Sequence, residues 1–327
     1  MKKHLITGIT GQDGIFLTKK ILQENKNDYV IGISRDKDSK NFFKKLSSLN
    51  TENLEKVSVL NTDLRNTDAV EDLLKNVDPD FLYNLSGPSS PYDSIRNPDI
   101  YKDIENVFNN LINGLIKFDN LCNFFQASTS EMFLANTKKR LDEKSLFGAK
   151  SPYAEFKLKN HNKVIQLREQ YDWKIYSGIM FNHESEFRKN NYLFMKIIDS
   201  AIKIKNGRNK KLTLGSLSYT RDWSFAGDVS SAIYKITNFG KDCTYVIGSG
   251  KENTIQDLVS VVFDYFNINQ EGNLAVDESI LRKGDSEYIV SNPKKIKDEL
   301  NWKTKLGFED LVIRCIELSD ASNKFTR

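Results

Sequence analysis

Through the first half of this chain, short apolar runs alternate with segments whose apolar residues recur at helical spacing. Two of the helical segments are GIFLTKKILQE and DAVEDLLKNV, and each lies between two apolar runs. Apolar runs of this length are typical of strands buried on both faces of a parallel sheet, which crossover helices connect. Strands are predicted at 4–7, 29–33, 57–61, 81–85, 124–128 and 174–180. The pattern therefore predicts an α/β protein with a doubly wound parallel sheet of the Rossmann type.

The order of the elements changes after residue 180. Helices are predicted near 192–206, 227–238, 254–267 and 308–319, with strands in KLTLG and TYVIG between them. We therefore predict a Rossmann domain of residues 1–180, to which residues 213–247 return. Residues 181–212 and 248–327 are predicted to form a smaller C-terminal α/β lobe that binds the substrate.

Composition argues against several classes of function. The 48 Lys and Arg are nearly balanced by 44 Asp and Glu, and no basic stripe is interleaved with aromatic residues, so we expect no nucleic-acid partner. No apolar stretch has the length of a membrane span or a signal peptide, so we expect no membrane partner and a cytoplasmic location. Cys122, Cys243 and Cys315 lie far apart and are expected to be buried free thiols. With only three histidines in the chain, we expect no metal site.

A glycine-rich turn, TGITGQDG, follows the first predicted strand directly. Glycine permits a tight turn and lets the backbone approach a pyrophosphate, and the next helix offers free N–H groups at its positive end. A glycine motif alone is weak, but the order strand, glycines, helix is typical of dinucleotide binding. The predicted cofactor-binding residues here are Gly8, Thr10, Gly11, Gln12, Asp13 and Gly14.

The ends of the next strands indicate which cofactor this turn would bind. Arg35, followed by Asp36, lies at the tip of the second strand, where a basic residue accepts the 2′-phosphate of NADP. We therefore favour NADP over NAD; the alternative is an exposed Arg–Asp pair on a loop. Asp63 with Leu64 is predicted to border the adenine ring, although Asp63 could instead cap the next helix. Leu85, at the end of the fourth strand, completes the predicted cofactor-binding set.

One helix carries a tyrosine and a lysine at catalytic spacing. In SPYAEFKL, Ser151 is a plausible N-cap and Pro152 suits the first helical position. Tyr153 and Lys157 are then one turn apart on the same face, and an ammonium near a phenol stabilises the phenolate. Lone Y-x-x-x-K matches are frequent by chance, but this one follows a fifth strand downstream of the glycine turn. We predict that both residues act in catalysis and contact the cofactor.

At this point the chain resembles the extended short-chain dehydrogenase/reductases, and within them it is similar to GDP-mannose 4,6-dehydratases. The resemblance covers nearly the whole chain, in the family's order. It rests on LITGITGQDGIFL, DLRNTDAVEDLL, PDFLYNLS, FFQASTSEMF, SPYAEFKL, GIMFNHES, LTLGSLSYTRDW and NPKKIKDELNWK. ITGQDG, QASTSE and FNHES are specific to the family rather than to the superfamily.

The resemblance implies a catalytic role for Thr129 and Glu131. Glu131 would be the base at C5 of a sugar, and Thr129 would help to hold O4, with Ser130 as a further hydroxyl donor on the substrate side. Tyr153 and Lys157 would carry the oxidation at C4. Epimerases of the superfamily usually have an aliphatic or small residue at the position of Glu131, so its carboxylate favours loss of water across C5 and C6.

The resemblance also implies a nucleotide-sugar site, with GDP-mannose as the expected substrate. For two of the residues implied to bind the substrate there is an alternative. Lys196 could be a solvated surface lysine, and Asn182 could belong to a polar loop without a binding role. Arginine suits a diphosphate because of its fixed fork of donors. The substrate-binding residues implied are Ser89, Ser130, Asn182, Lys196, Arg221 and Arg282.

Several segments around the expected sugar site depart from the family's pattern. NLSGPSS, the residues Phe133 and Leu134, EFRKNNY at 186–192 and LRKGD each differ from the usual sequence. The alternatives are therefore a 4,6-dehydratase of another GDP-linked sugar, a heptose or an N-acetylhexosamine, and a 4-epimerase or 4-reductase. A non-catalytic NADP-binding protein is a third class, which the complete Thr–Glu–Tyr–Lys set disfavours. We expect a homodimer or a homotetramer.

Overall fold

The computed structural model describes residues 1–35, 39–135, 138–208, 211–281 and 285–324. The first half contains β1 Lys3–Thr7, α1 Gln12–Glu24, β2 Tyr29–Ser34, α2 Lys40–Ser48, β3 Val57–Asn61, α3 Thr67–Val77, β4 Phe81–Asn84, α4 Pro91–Arg96, α5 Pro98–Lys117, β5 Asn123–Thr129, α6 Pro152–Tyr171 and β6 Ile175–Met180. The second half contains β7 Asn182–Glu184, α7 Leu193–Lys205, β8 Leu212–Leu214, β9 Thr220–Arg221, β10 Trp223–Phe225, α8 Ala226–Phe239, β11 Thr244–Ile247, β12 Asn253–Thr254, α9 Ile255–Phe266, β13 Leu274–Val276, β14 Tyr288–Ile289, α10 Lys294–Leu300 and α11 Phe308–Lys324.

Seven strands form one parallel sheet in the order β3-β2-β1-β4-β5-β6-β11, which confirms the predicted doubly wound fold. The central strands are buried on both faces, as their unbroken apolar runs predicted. The strand order reverses between β1 and β4. In an open parallel sheet the crevice at such a reversal, at the carboxyl ends of the strands, is where ligands bind.

Two apolar clusters cover the two faces of this sheet. One lies under α1 and α8, where Ile15, Ile21, Val229 and Ile233 are fully buried. The other lies under α3, α5 and α6 and contains Leu74, Phe108 and Val164, among others. Helix α1 begins shortly after β1, and α6 packs against β5 and the turn at residues 130–132, so both helices begin at the carboxyl edge of the sheet.

A further apolar cluster belongs to the second half of the chain. It gathers α7, α9 and α11 around Ile198, Phe263 and Val312, with Leu212 and Leu214 of β8. The sequence predicted that residues 213–247 return to the Rossmann domain. In the structure, however, β8 pairs with β13 and packs in this cluster. We keep the division into two lobes as a proposal, with the returning segment beginning near α8, which packs on α1.

The sixth strand ends at Met180, as predicted, while residues 182–184 form a separate strand, β7, that was not predicted and that pairs with β10. The final helix runs to Lys324 rather than to residue 319. Cys122, Cys243 and Cys315 are buried free thiols, as predicted. Among the described residues, no helix is both long and apolar enough to span a membrane.

Candidate active site

The glycine turn has the geometry of a phosphate-binding turn. Gly8 adopts a φ of +71°, and a Cβ there would lie 3.0 Å from the Cα of Ser86 on the neighbouring strand end. A Cβ on Gly14 would lie 2.5 Å from the Cα of Ile9, so only glycine lets α1 begin this close to the turn. Gly11 precedes α1 directly, and the N–H groups of the first turn point into the crevice. The turn therefore fits a dinucleotide pyrophosphate.

The side chains of Gln12 and Asp13 point to the second half of the chain. The Gln12 amide donates to the carbonyl oxygen of His183 at 2.9 Å and accepts from the Ser185 hydroxyl at 2.9 Å. Asp13 Oδ1 lies 3.0 Å from Nε2 of His183. Burial raises the pKa of the Asp13 carboxyl, but His183 more than offsets this, and the net pKa is lowered. These two predicted cofactor-binding residues thus also hold β7 against the start of α1.

At the far end of the crevice, Arg35 is exposed at the end of β2, and its backbone carbonyl accepts from the Asn61 amide at 2.9 Å. Asp63 is not the cap of α3. That role belongs to Asn66, whose side chain accepts from the backbone N–H of Ala69. Of two further predicted cofactor-binding residues, Leu64 is buried and Leu85 is half-buried. Asp36 lies outside the described residues.

The Asp63 carboxylate is paired with Arg65. The guanidinium donates to both carboxylate oxygens, at 2.9 Å and 2.6 Å. These hydrogen bonds lower the pKa of Asp63 to about 2. Because both side chains are exposed, this ion pair contributes little to stability.

The strand β5 ends in the stretch that carries the expected base. Thr129 is the last strand residue, and Ser130 and Glu131 begin a 3₁₀ turn at Ser130–Met132. Thr129 and Ser130 are buried, Glu131 is half-buried, and the backbone N–H of Glu131 donates to the Thr129 hydroxyl at 3.3 Å. The turn therefore presents a carboxylate at the carboxyl edge of the sheet, immediately beyond a rigid strand.

Ser128 faces away from this edge into the protein. Its hydroxyl lies 2.8 Å from that of Ser177, which in turn lies 2.8 Å from Nδ1 of His161. These contacts give Ser128 a structural role at the end of the strand. Burial lowers the pKa of His161 to about 4, so this imidazole is neutral at physiological pH.

Helix α6 places the predicted catalytic pair against the end of β5. Ser151 caps the helix and Pro152 opens it, as predicted. Burial raises the pKa of Tyr153 well above its ordinary value, a hydrogen bond from the Thr129 side chain opposes that rise, and the charge of Glu131 adds to it. Thr129, Glu131 and Tyr153 therefore lie within interaction range of one another.

Lys157 is almost fully buried one turn along the same helix. Its ammonium donates to the carbonyl oxygen of Ala127 at 2.7 Å. Burial lowers the pKa of Lys157 to about 8, and the charge of Asp13 opposes that shift. An ammonium with this pKa can lose or keep its proton near neutral pH, which suits a group that stabilises a phenolate and takes part in proton transfer.

Ser89, a predicted substrate-binding residue, lies against Tyr192. The two hydroxyls lie 2.6 Å apart, although one residue follows β4 and the other immediately precedes α7. Asn182, in β7, is half-buried, and its carbonyl oxygen accepts from Ser224 at 3.4 Å. Lys196 is exposed in the first turn of α7.

The predicted phosphate-binding arginines lie farther along the second half. Arg221 is buried, and it donates to Asp285 at 3.1 Å and to the carbonyl oxygen of Thr220 at 3.0 Å. Its guanidinium is therefore held in place by protein groups before any phosphate binds. Arg282 lies outside the described residues.

Sequence reasoning missed four residues around Tyr153. Arg188 contributes a charge that lowers the pKa of Tyr153, and Glu184 holds Arg188 at 3.1 Å. Tyr192 also acts on Tyr153 electrostatically, and the edge of the Tyr101 ring meets the Tyr153 ring at 6.2 Å between centroids. For three of them the available signal was position, because Glu184 ends β7 and because Arg188 and Tyr192 follow that strand. Tyr101 lies in α5, outside this segment.

Comparisons with known proteins identify a matching family and related sequences. The sequence model described as GDP-mannose 4,6 dehydratase matches residues 5–315. GDP-mannose 4,6 dehydratase 1 of Arabidopsis thaliana is 31% identical over 328 residues, covering 95% of this chain and 88% of that protein.

Two solved structures share the fold. The dTDP-glucose 4,6-dehydratase of Bacillus anthracis, in complex with NAD, has a TM-score of 0.83 at 18% identity and covers 99% of this chain and 98% of its own. RMD from Pseudomonas aeruginosa, complexed with NADPH, has a TM-score of 0.79 at 18% identity, and the match covers 98% of this chain and 100% of the RMD chain. With the match of the sequence model along residues 5–315, the chain belongs to the GDP-mannose 4,6-dehydratase family.

Proposed function

We propose that this protein is an NADP-dependent 4,6-dehydratase that converts GDP-mannose to GDP-4-keto-6-deoxymannose. One observation carries the proposal: a carboxylate, Glu131, lies within electrostatic range of Tyr153 and directly follows Thr129 and Ser130. A reaction that only oxidises and reduces C4 needs Tyr153 and Lys157 but has no step for this carboxylate. Elimination of water needs a second base, and Glu131 is placed to be that base.

The chain's own residues account for each proton that moves. Bound NADP would accept hydride from C4 and return it to C6, so that the cofactor is unchanged overall. Tyr153, helped by the charge of Lys157, takes the proton of O4, and the Thr129 hydroxyl holds the developing 4-ketone. The ketone acidifies the hydrogen at C5, which Glu131 removes. Glu131 then protonates the departing O6 and water leaves. The proton that Tyr153 took from O4 balances the one that returns to C5.

The turn at Gly8, Gly11 and Gly14 is proposed to hold the cofactor's pyrophosphate, with Thr10 beside it. Arg35 is proposed to accept the 2′-phosphate, because an exposed guanidinium stands at the strand tip where that group would lie. Leu64 and Asp63 are proposed to border the adenine. That RMD was solved with NADPH and the Bacillus enzyme with NAD supports a nicotinamide cofactor, and Arg35 supports NADP.

The nucleotide sugar is proposed to lie between the two lobes. Ser89, Ser130 and Asn182 would contact the hexose, and Lys196 and Arg221 the diphosphate. Arg221 suits that role because Asp285 and Thr220 fix the orientation of its guanidinium in advance. A homodimer or homotetramer in the cytoplasm is proposed as the working form.

The test is mass spectrometry of the purified protein incubated with GDP-mannose, first without added cofactor and then with NADP. We expect the loss of one water from GDP-mannose and no net formation of NADPH. The Glu131→Gln variant should eliminate water from GDP-mannose at least about 100-fold more slowly than the wild type. The control Glu155→Gln, an exposed change on α6, should match the wild-type rate. GDP-mannose that stays unchanged would contradict the proposed substrate. A product of the same mass with a different retention time, when the mixture is separated by chromatography before mass spectrometry, would point to an epimerase.

A further inference from the structure

Tyr192 stands at the sugar side of the crevice. Its hydroxyl lies 2.6 Å from the Ser89 hydroxyl and acts electrostatically on both Tyr153 and Tyr101. We propose that Tyr192 is a substrate-binding residue that contacts the 3-hydroxyl of the hexose and discriminates sugars by it. This inference rests on the proposed function, since it takes Tyr153 as the residue at O4.

The ring of Tyr192 is held in place independently of its hydroxyl. The Arg188 guanidinium stacks on the ring at 3.7 Å from its centroid, and Arg188 is itself paired with the buried Glu184 at 3.1 Å. Only about a fifth of the Arg188 side chain is exposed, so this cation–π contact is partly desolvated and correspondingly stronger. Because the ring is fixed from behind, its hydroxyl is preorganised for a ligand.

The pair of hydroxyls is suited to a sugar. Each hydroxyl can donate one hydrogen bond and accept others, so Ser89 and Tyr192 can exchange part of their mutual bond for bonds to a neutral hydroxyl. A site built to bond a substrate hydroxyl discriminates strongly against an analogue that lacks it, because its own polar groups are then left unpaired.

Position on the ring decides which hydroxyl it is. In the proposed reaction Tyr153 binds at O4. Glu131 acts at C5 and C6, so the C5 side of C4 is already occupied by a protein group. The remaining neighbour of C4 is C3, and the hydroxyl it carries is the one that a group beside Tyr153 can reach. The segment that holds Tyr192, residues 186–192, is also one of the segments whose sequence departs from the family's pattern. A residue of this segment is therefore placed to set sugar preference in this chain.

The test measures binding to NADP-loaded protein by calorimetry, in a Glu131→Gln background in which the loss of water is expected to be slow. The ligands are GDP-mannose, GDP and GDP-3-deoxymannose, and the variant is Tyr192→Phe, which keeps the ring on Arg188. We expect Tyr192→Phe to bind GDP-mannose about tenfold more weakly and GDP within about twofold. The background protein should bind the 3-deoxy ligand about tenfold more weakly than GDP-mannose, and Tyr192→Phe should no longer distinguish the two. Tyr171→Phe, an exposed change at the end of α6, is the matched control.

Other outcomes separate the two proposals. Equal weakening of GDP-mannose and GDP, or discrimination against the 3-deoxy ligand that persists in Tyr192→Phe, would overturn the inference. Binding of GDP-mannose that is no tighter than that of GDP would overturn it as well. If the sugar binds with the expected dependence on Tyr192 but the wild type releases no water, the contact stands and the proposed reaction is wrong.

Discussion

Lys157 and Tyr153 are shifted in opposite directions by the same cause. Both side chains are almost fully buried, so burial disfavours the ammonium of one and the phenolate of the other. The groups that oppose these shifts are local: Asp13 acts on Lys157, and Thr129 and Arg188 act on Tyr153. The proton balance of the pair therefore depends on side chains from α1, β5 and the segment after β7, and not on the spacing within α6 alone.

The titration of Lys157 gives a prediction about stability. Its pKa is about 8 when folded and 10.5 when unfolded, so between these values the unfolded chain binds a proton that the folded chain lacks, and the free energy of unfolding rises with pH. Between about pH 7 and about pH 9.5, the stability of the wild type relative to Lys157→Met should rise by about 2 kcal/mol. Urea denaturation at the two pH values measures this. Lys159→Met, an exposed control on the same helix, should show no such trend.

Arg35 gives a prediction about the cofactor. Arg35→Ala should weaken the binding of NADP about tenfold or more and that of NAD within about twofold, because only NADP carries the 2′-phosphate that a guanidinium binds. Quenching of protein fluorescence on titration with each cofactor measures both affinities. Arg208→Ala, an exposed control after α7, should change neither. Equal losses for NADP and NAD would show that Arg35 does not select the cofactor.

Among the elements of the second half, short strands are held together by one buried carboxylate. Asp222 lies between β9 and β10 and is fully buried. It accepts hydrogen bonds from the backbone N–H groups of Ser249, Gly250 and Ser291, at 2.8 Å, 2.9 Å and 3.1 Å, and from both serine hydroxyls. Strands of two or three residues have little stability of their own, so a shared acceptor of this kind fixes their relative positions.

Removal of this carboxylate should therefore destabilise the protein strongly. Asp222→Ala leaves several buried N–H donors unsatisfied, and we expect a loss of about 3 kcal/mol or more in the free energy of unfolding. Asp257→Ala is the comparison, because Asp257 belongs to an exposed capping box at the start of α9 and should cost only about 1 kcal/mol. Thermal denaturation of both variants measures the difference. Similar losses for the two would show that the Asp222 cluster is not a structural centre.

At the scale of the whole molecule, residues 183–186 connect the glycine turn to the C-terminal helix. Gln12 bonds to His183 and Ser185, and Glu186 forms a two-pronged ion pair with Arg314 of α11. The Glu186 side chain is 6% exposed, so its carboxylate is buried against this partner. The crevice between the two halves of the chain is therefore bordered by one continuous set of polar contacts.

This predicts a large effect from a residue outside the crevice. Arg314→Met leaves the Glu186 carboxylate buried and unpaired, and we expect a loss of about 3 kcal/mol in the free energy of unfolding. Arg140→Met removes an exposed ion pair with Glu252 and should cost less than about 1 kcal/mol. Urea denaturation compares the two. If Glu186→Gln together with Arg314→Met restores most of the loss, the cost arises from the unpaired charge; if it does not, the prediction is wrong.

The features that could be predicted from sequence are local ones. The strands and helices of the first half follow from apolar runs and helical spacing, and the cap at Ser151 follows from its side chain and the proline after it. The contacts of Asp63 were harder to predict. Its sequence context suggested a role beside the adenine ring or as a helix cap, but its carboxylate pairs with Arg65. The role of β8 was likewise hidden, since an apolar triplet does not specify which sheet it joins.

By itself, the sequence determined the wound parallel sheet, the glycine turn and the order of Thr129, Glu131, Tyr153 and Lys157. These depend on periodicity and on residue types within a few positions of one another, and local sterics and hydrogen bonding encode them. Only the tertiary structure decided that Tyr192 meets Ser89 and that Asp13 faces His183. Those partners are 103 and 170 positions apart, and they meet because two independently packed apolar clusters set the distance across the crevice.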